Sequence, residues 1–253
     1  LAGIYVTSGS SGTLGSMQVD SFSVTGLDVG GSAGAVVSAA IGTESPAGGF
    51  TESGGLYNII CGGPDLSATG TSDGGRMVYV PITGSANCTV TARVLGFTGS
   101  GSAMKAGVTV RESTTNSVRH MTSVTETGLG MRRAGYRLTA GGNAANSNTQ
   151  SVYSKPRWLR LQRSGSVFTA SVSSDGAAWS VTGVAPAAPL GSLCLVGLAA
   201  SARQDGLITQ AVFDNVTLST GAALTGRTIG YVNEPGLVLE NAGTWTLNAS
   251  GAG

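Results

Sequence analysis

Read along the chain, apolar and polar residues alternate one for one. In Cys88–Leu95, Cys88, Val90, Ala92 and Val94 fall on one side and Thr89, Thr91 and Arg93 on the other; in Met104–Arg111 the inward set is Met104, Ala106, Val108 and Val110. A period of two belongs to half-buried strands and is incompatible with a helix. The same reading predicts strands at Arg76–Ile82, Arg119–Val124, Gly130–Arg133, Tyr136–Ala140, Gln150–Tyr153, Arg157–Gln162, Val167–Ser173, Leu193–Ala199 and Gln210–Leu218. Pro81 marks the first of these as an edge or bulged strand. Asp175-Gly176 is a hairpin turn between the strand ending at Ser173 and one around Trp179. Many short strands with frequent turns predict an all-β, antiparallel β-sandwich, with Trp158 and Trp179 expected in the core or packing a hairpin.

Composition agrees. Charged residues are 11% of the chain, against about 25% in an average soluble domain. Gly reaches 41 of 253 residues, and the long-helix formers are scarce. Weakly charged, Gly/Ser/Thr-rich β proteins are typical of exported, cell-surface material, so an extracellular location is expected. No apolar stretch approaches the roughly 20 residues that a membrane-spanning helix needs. The chain opens on Leu1 without a basic or apolar leader, and is expected to be a segment of a longer polypeptide.

The chain also repeats itself. Gly3–Thr25 aligns without a gap on Gly197–Ser219: Gly3, Gly12 and Asp20 fall on Gly197, Gly206 and Asp214, and Val19, Phe22 and Val24 on Phe213, Val216 and Leu218. The stretch from Ile229 resembles that from Ile41, with Pro235 on Pro46. The period, about 190 residues, is far longer than a solenoid unit and describes an array of domains. The expected organisation is 1–27 as terminal strands of a preceding repeat, 28–40 a linker, 41–219 a complete sandwich, 220–228 a shorter linker, and 229–253 the initial strands of a following repeat.

The runs AMKAGVTVRES (103–113), SKPRWLRLQRSGSVFTASVSSDGAAWS (154–180) and LVGLAASARQDGLITQAVFDNVTLS (195–219), preceded by GTSDGGRMVYVPITGSANCTVTARV (70–94), resemble a bacterial family of concanavalin A-like (laminin-G-like) jelly-roll domains. The resemblance covers residues 41–220 and implies two stacked antiparallel sheets, recurring in tandem in large exported proteins. The Ile-Trp pair that the family often carries before its GTSD segment is absent; Asp65–Thr69 stands there instead.

Catalytic groups are hard to find. Glycoside hydrolysis needs two carboxylates about 5–9 Å apart, and catalytic relatives of this fold carry them as E-x-D-x-E; this chain scatters its acids singly. His120, the single histidine, lies inside a predicted strand with no G-x-S-x-G elbow, and is read as structural. No enzyme activity and no cofactor are expected. Asp205 and Asp214 are the candidates for a structural calcium; a turn or ladder role is the alternative reading of Asp214. Cys61, Cys88 and Cys194 form no metal-binding spacing. A Cys61–Cys88 bridge would close a loop of about 27 residues and contribute roughly 3 kcal/mol; otherwise all three are small buried side chains. Ser250 replaces Cys61 in the next copy, so the fold does not require the bridge.

Basic residues accumulate from Lys105 to Arg163, opposed there by Glu112 and Glu126 alone. They read either as a polyanion-binding field or as guards spread along several strand edges. No contiguous run with interleaved aromatics suggests nucleic acid. Two functions follow. The chain is a structural repeat of an extracellular fibre, filament, sheath or adhesin stalk, with neighbouring repeats or copies of itself as partners. Alternatively it is a lectin-like module for anionic glycans, with Arg133, Tyr136, Arg137, Trp158 and Arg160, beside Tyr153, as the contact face.

Overall fold

The computed structural model describes residues 10–19, 36–66, 69–127, 132–150, 157–186, 190–220, 237–241 and 244–251; at 10–19, 132–133, 147–150 and 237–251 it describes the backbone alone. In chain order the strands are β1 (Ser10–Val19), β2 (Val37–Ile41), β3 (Gly49–Ser53), β4 (Leu56–Cys61), β5 (Gly75–Thr83), β6 (Cys88–Gly99), β7 (Lys105–Arg111), β8 (His120–Glu126) and β9 (Arg132–Arg137). They continue as β10 (Ala145–Gln150), β11 (Arg157–Ser164), β12 (Val167–Ser173), β13 (Ser180–Pro186), β14 (Leu193–Ser201), β15 (Thr209–Ser219), β16 (Leu237–Asn241) and β17 (Thr244–Gly251). Two compact units result, one of residues 34–221 and one formed by 1–33 with 222–253.

The larger unit is a sandwich of two seven-stranded antiparallel sheets. The first runs β10-β9-β8-β7-β14-β5-β2 and the second β13-β12-β11-β6-β15-β4-β3. The alternation places strand residues as expected: along β11, buried Arg157, Leu159, Leu161 and Arg163 alternate with more exposed Trp158, Arg160, Gln162 and Ser164. Val90, Val94, Leu159, Leu161, Phe168 and Phe213 of the second sheet and Val80, Val108, Val110, Val196 and Leu198 of the first are all at most 2% exposed. Burying each such side chain contributes about 1.5–3 kcal/mol.

Several segments depart from the expectation; of the expected strand Gln150–Tyr153, Gln150 ends β10 and the rest lies outside the described residues. Strand β2, Val37–Ile41, of which 37–40 belong to the expected linker, pairs with β5 through five registered positions; its small residues resemble a linker, but they lie along a strand edge. The turn-rich stretch before Arg76 contains the β3–β4 hairpin. The expected strands Gly130–Arg133 and Tyr136–Ala140 fall on one strand, β9 (Arg132–Arg137), which runs on through Ala134 and Gly135. Linker 220–228 and Tyr153 lie outside the described residues.

Every residue of β7 and β8 is buried, on both faces. The inner face meets the second sheet. The outer face is covered by the 62–75 loop, closed at its base by an Asp65–Gly74 bridge and tied to Ala144 through Gly70. Leu66 of that loop packs with Ile41, Met77, Val124 and Ala199.

All three cysteines are buried and free. The geometry excludes the Cys61–Cys88 bridge. Strand β15 sets Thr209 against both Cys61 of β4 and Gly99 of β6. Cys88 is at the other end of β6, roughly 35 Å away at about 3.3 Å per residue, whereas a bridge needs Cα atoms within about 7 Å. Burial pushes the Cys61 and Cys194 thiols up to about 12 and Cys88 to about 11.

The smaller unit is a three-stranded sheet in the order β1-β17-β16. Its pairing copies one edge of the larger unit. Where β15 and β4 pair Thr209↔Cys61 through Phe213↔Tyr57, β1 and β17 pair Gly15↔Ala249 through Val19↔Trp245. The hairpin ladder from Gly49↔Ile60 to Ser53↔Leu56 is matched by Leu237↔Asn248 to Asn241↔Thr244. This correspondence sets Glu240 on Glu52 and Trp245 on Tyr57, one position from the alignment through Pro46 and Pro235.

Candidate functional site

Two regions gather polar side chains, one on each sheet. The first lies beneath the 62–75 loop. Arg111 and Arg137, on β7 and β9, both donate to Asp73 Oδ2, at 3.0 Å and 2.9 Å. Further donors of the two groups reach carbonyls of Ser113, Thr115, Gly142, Val118 and Gly70. His120 Nδ1 is 3.4 Å from Asp73 Oδ2 and 3.3 Å from the Val118 carbonyl. Burial raises the Asp73 carboxyl, but the facing His120, Arg111 and Arg137 outweigh it and hold the group below its ordinary value. Burial likewise drives His120 down to about 4, so the imidazole is neutral at pH 7.

Chemically this is a clamp. Both guanidinium groups converge on the one Asp73 carboxylate and on backbone carbonyls around it. It fixes the loop through Asp73. A second anchor stands at the other end of the loop, where Lys105 Nζ approaches Asp65 Oδ1 at 2.6 Å and Arg203 donates to Glu126 Oε1 at 3.2 Å.

The second region lies on the outer face of the second sheet. Register places Ser173, Trp158, Arg93 and Asp214 in one row across β12, β11, β6 and β15. The next row is Val181, Ser171, Arg160, Thr91 and Thr217. Arg93 lies 5.4 Å from the Trp158 ring centre and makes a two-pronged ion pair with Asp214. Arg160 Cζ sits over the Trp179 indole, 3.7 Å from the ring centre, with Nε 3.4 Å from Thr91 Oγ1.

The β12–β13 turn holds this face in place. Asp175 Oδ1 accepts from the amides of Ala177 and Ala178 and from Ser173 Oγ; those bonds pull its carboxyl down to about 2. Trp179 Nε1 donates to the Gly176 carbonyl at 3.1 Å. Gly176 has φ +81, and a Cβ there would come within 2.8 Å of the Trp158 ring. Glycine therefore satisfies both the turn and the close packing against an indole. The two tryptophans pack the hairpin from outside, half-buried, rather than entering the core.

Arg160 differs from its neighbours. Among the described residues, the other partly exposed arginines each have a carboxylate: Arg76 has Glu44, Arg93 has Asp214, Arg119 has Glu112 and Arg203 has Glu126. Arg160 has an indole and a threonine hydroxyl.

The five residues expected to form one glycan-binding face are divided between two sheets. Trp158 and Arg160 are on β11 of the second. Arg133, Tyr136 and Arg137 are on β9 of the first, where Arg137 is fully buried in the Asp73 clamp and the Arg133 side chain lies outside the described residues. The residues that sequence reasoning passed over are Asp73, Trp179 as a stacking partner, and Thr91. Of the calcium candidates, Asp214 is engaged by Arg93, and this pairing holds its carboxyl below the ordinary value; Asp205 sits in the exposed turn before β15. No group of three potential metal ligands gathers among the described residues.

No protein-family model and no curated protein matches the chain. Solved structures do. A functionally unknown protein from Saccharomyces cerevisiae superimposes with a TM-score of 0.56 at 19% identity, over 72% of this chain and 98% of its own. The GH43 protein BlXynB from Bacillus licheniformis gives 0.51 at 14% identity, over 65% of this chain and 33% of its own, so the likeness spans about a third of that enzyme. The carbohydrate-binding module CBM66 from Bacillus subtilis aligns more loosely, with a TM-score of 0.41 at 15% identity over 72% of this chain. At such identities the likeness is one of fold. With its two antiparallel seven-stranded sheets, the larger unit has a concanavalin A-like jelly-roll fold.

Proposed function

We propose that the larger unit is a non-catalytic carbohydrate-binding module of an exported protein, and that it contacts acidic glycans through Arg160 and Trp179. The observation that carries this reading is the guanidinium stacked on Trp179 without a carboxylate partner among the described residues. A stacked, planar guanidinium is pre-oriented to bind a carboxylate or sulfate through two parallel hydrogen bonds. Around it, Thr91, Ser171, Thr169 and Gln162 supply hydroxyl and amide groups in register, the kind of sparse polar set that orients a sugar. Trp158 is a supporting residue here, since Gly176 packs on its ring.

The test is affinity electrophoresis of the 253-residue protein through gels containing polygalacturonate or a neutral glucan. The acidic polymer is expected to retard the protein, and Arg160→Ala to weaken that effect at least tenfold, the equivalent of about 1.4 kcal/mol. Equal mobility in both gels and for both proteins would refute the assignment.

A second reading, a structural repeat of an extracellular fibre or stalk, is supported by the matching registers of β1-β17-β16 and β15-β4-β3. It requires assembly without glycan. Regular filaments of native, full-length material in electron micrographs would favour it, and isolated flexible beads would remove it.

A further inference from the structure

Two of the three thiols gather at one end of the sandwich, on opposite sheets. Cys88 begins β6 of the second sheet and Cys194 lies on β14 of the first; they are 3% and 0% exposed. Alternation turns both inward. Cys88 shares its side of β6 with buried Val90 and Val94, and Cys194 shares its side of β14 with buried Val196 and Leu198. Inward-facing cysteines on facing sheets are the arrangement that lets a sandwich carry an inter-sheet disulfide.

The turn between β5 and β6 ties the two positions together. Cys194 is registered with Ile82, near the end of β5, and its Sγ lies 3.9 Å from the Thr83 carbonyl. That carbonyl also accepts from the Ala86 amide at 2.9 Å, two residues before Cys88. Gly84 donates to the Ser192 carbonyl at 3.0 Å, and a Cβ on Gly84 would come within 1.8 Å of the Gly191 carbonyl, so the turn lies tight against the approach to β14. From the second sheet, Arg163, registered with Cys88 across β11 and β6, donates to the Gly84 carbonyl. The two sulfurs share one electrostatic environment. Burial raises both thiols most; Cys88 adds to the rise at Cys194, and the Arg163 guanidinium opposes it at each. Cys61 is elsewhere, beside Glu44 and Arg76 and level with the far end of β6.

We propose that Cys88 and Cys194 form an inter-sheet disulfide when the chain folds in the presence of a small-molecule disulfide such as oxidised glutathione. One protein thiolate attacks the glutathione disulfide, giving a mixed disulfide and releasing one glutathione thiolate. The second protein thiolate attacks the protein sulfur of that mixed disulfide, closing the bridge and releasing the second glutathione. One external disulfide is reduced to two thiols while two cysteines are oxidised to one bridge, and the released thiolates take up the two protons lost. In the folded, reduced protein burial keeps both thiols protonated, so the bridge closes while the sandwich forms rather than afterwards. It latches β6 to β14 across the core and leaves Cys61 as the free thiol. Neither Arg160 nor any glycan takes part.

The test refolds the 253-residue protein from urea in mixtures of oxidised and reduced glutathione. Remaining thiols are trapped with iodoacetamide in denaturant, and peptides are mapped by mass spectrometry without reduction. The unmodified protein and Cys61→Ser are expected to yield the Cys88–Cys194 peptide pair, with alkylation of the unmodified protein confined to Cys61. A bridge constrains the unfolded chain, so the bridged form should unfold at a higher urea midpoint than the reduced one, and dithiothreitol should abolish the difference. In Cys88→Ala and Cys194→Ala the midpoint should be the same with and without dithiothreitol. The proposal is overturned if Cys88 and Cys194 are both alkylated after oxidative refolding, if the bridge in the unmodified protein includes Cys61, or if bridged and reduced forms unfold at the same midpoint.

Discussion

The sandwich contains arginines of two kinds, and the contrast between the Asp73 clamp and the Arg160 row explains what each can do. Beneath the 62–75 loop, Arg111 and Arg137 are at most 1% exposed and share one carboxylate, with further donors on backbone carbonyls. On the outer face of the second sheet, Arg160 is half-buried against an indole and has no carboxylate partner among the described residues. Both are outward-facing positions on β-strands. The difference is the cover. A loop over the first sheet supplies the acid and carbonyls that a buried cation requires, while on the second sheet no described residue supplies Arg160 with an acid. Arginine in an alternating strand is therefore a structural tie in one place and, on the proposed reading, a contact group in another, according to what lies across it.

Removing the acid from the clamp should have the largest effect. Asp73→Ala leaves two buried guanidinium groups without their counter-ion and is expected to cost about 3–5 kcal/mol, read as a lower midpoint in urea unfolding. Arg160→Ala should change that midpoint little. Comparable losses for both substitutions would erase the contrast.

Acid should break the same region next. An unfolded histidine titrates near 6.5, and folded His120 near 4. Between these values the unfolded chain binds the proton and the folded one does not, so stability is full above about pH 6.5 and falls as the pH drops towards 4. The loss is about 3 kcal/mol at about 1.4 kcal/mol per pH unit. Asp73, depressed below its ordinary value, adds a further loss only at lower pH, where its carboxylate takes up a proton. In His120→Gln the slope between pH 6.5 and 4 should flatten; an unchanged slope would place the titrating group elsewhere.

Substitutions on the open face should be milder. Gly176→Ala forces a side chain onto φ +81 and against Trp158, at a cost of roughly 1–2 kcal/mol, and should alter the near-ultraviolet tryptophan signal. The Arg93–Asp214 pair is partly exposed, with side-chain exposures of 30% and 17%, and a double-mutant cycle should give less than about 1 kcal/mol. A larger coupling would mean that this face, too, is built as a clamp.

Much of the sandwich was legible because period two leaves little freedom: β6, β7, β11, β12, β14 and β15 fall within a few residues of the expected spans. Strands β2 to β4 were not: Ser and Ala make up most of β2, β3 (GFTES) and β4 (LYNIIC) lack a clean apolar alternation, and register with β5 and β15 decides their state. The clamp was illegible for a different reason. Asp73 meets Arg111 and Arg137 across 38 and 64 residues of chain, and alternation reports which side of a strand a residue takes without saying what covers it. The same limit joined Arg133, Tyr136 and Arg137 to Trp158 and Arg160 as one surface, although β9 and β11 belong to different sheets.

The central claim is that Arg160 and Trp179 are available to an acidic sugar. The chain has three tryptophans, Trp158, Trp179 and Trp245, so the indole N–H signals in a nitrogen-15 correlation spectrum form a small set of reporters. Titration with an oligogalacturonate should move the Trp179 signal saturably, move Trp158 less, and do neither in Arg160→Ala. If no indole signal moves, or Trp179 responds equally in Arg160→Ala, the glycan-binding account is contradicted.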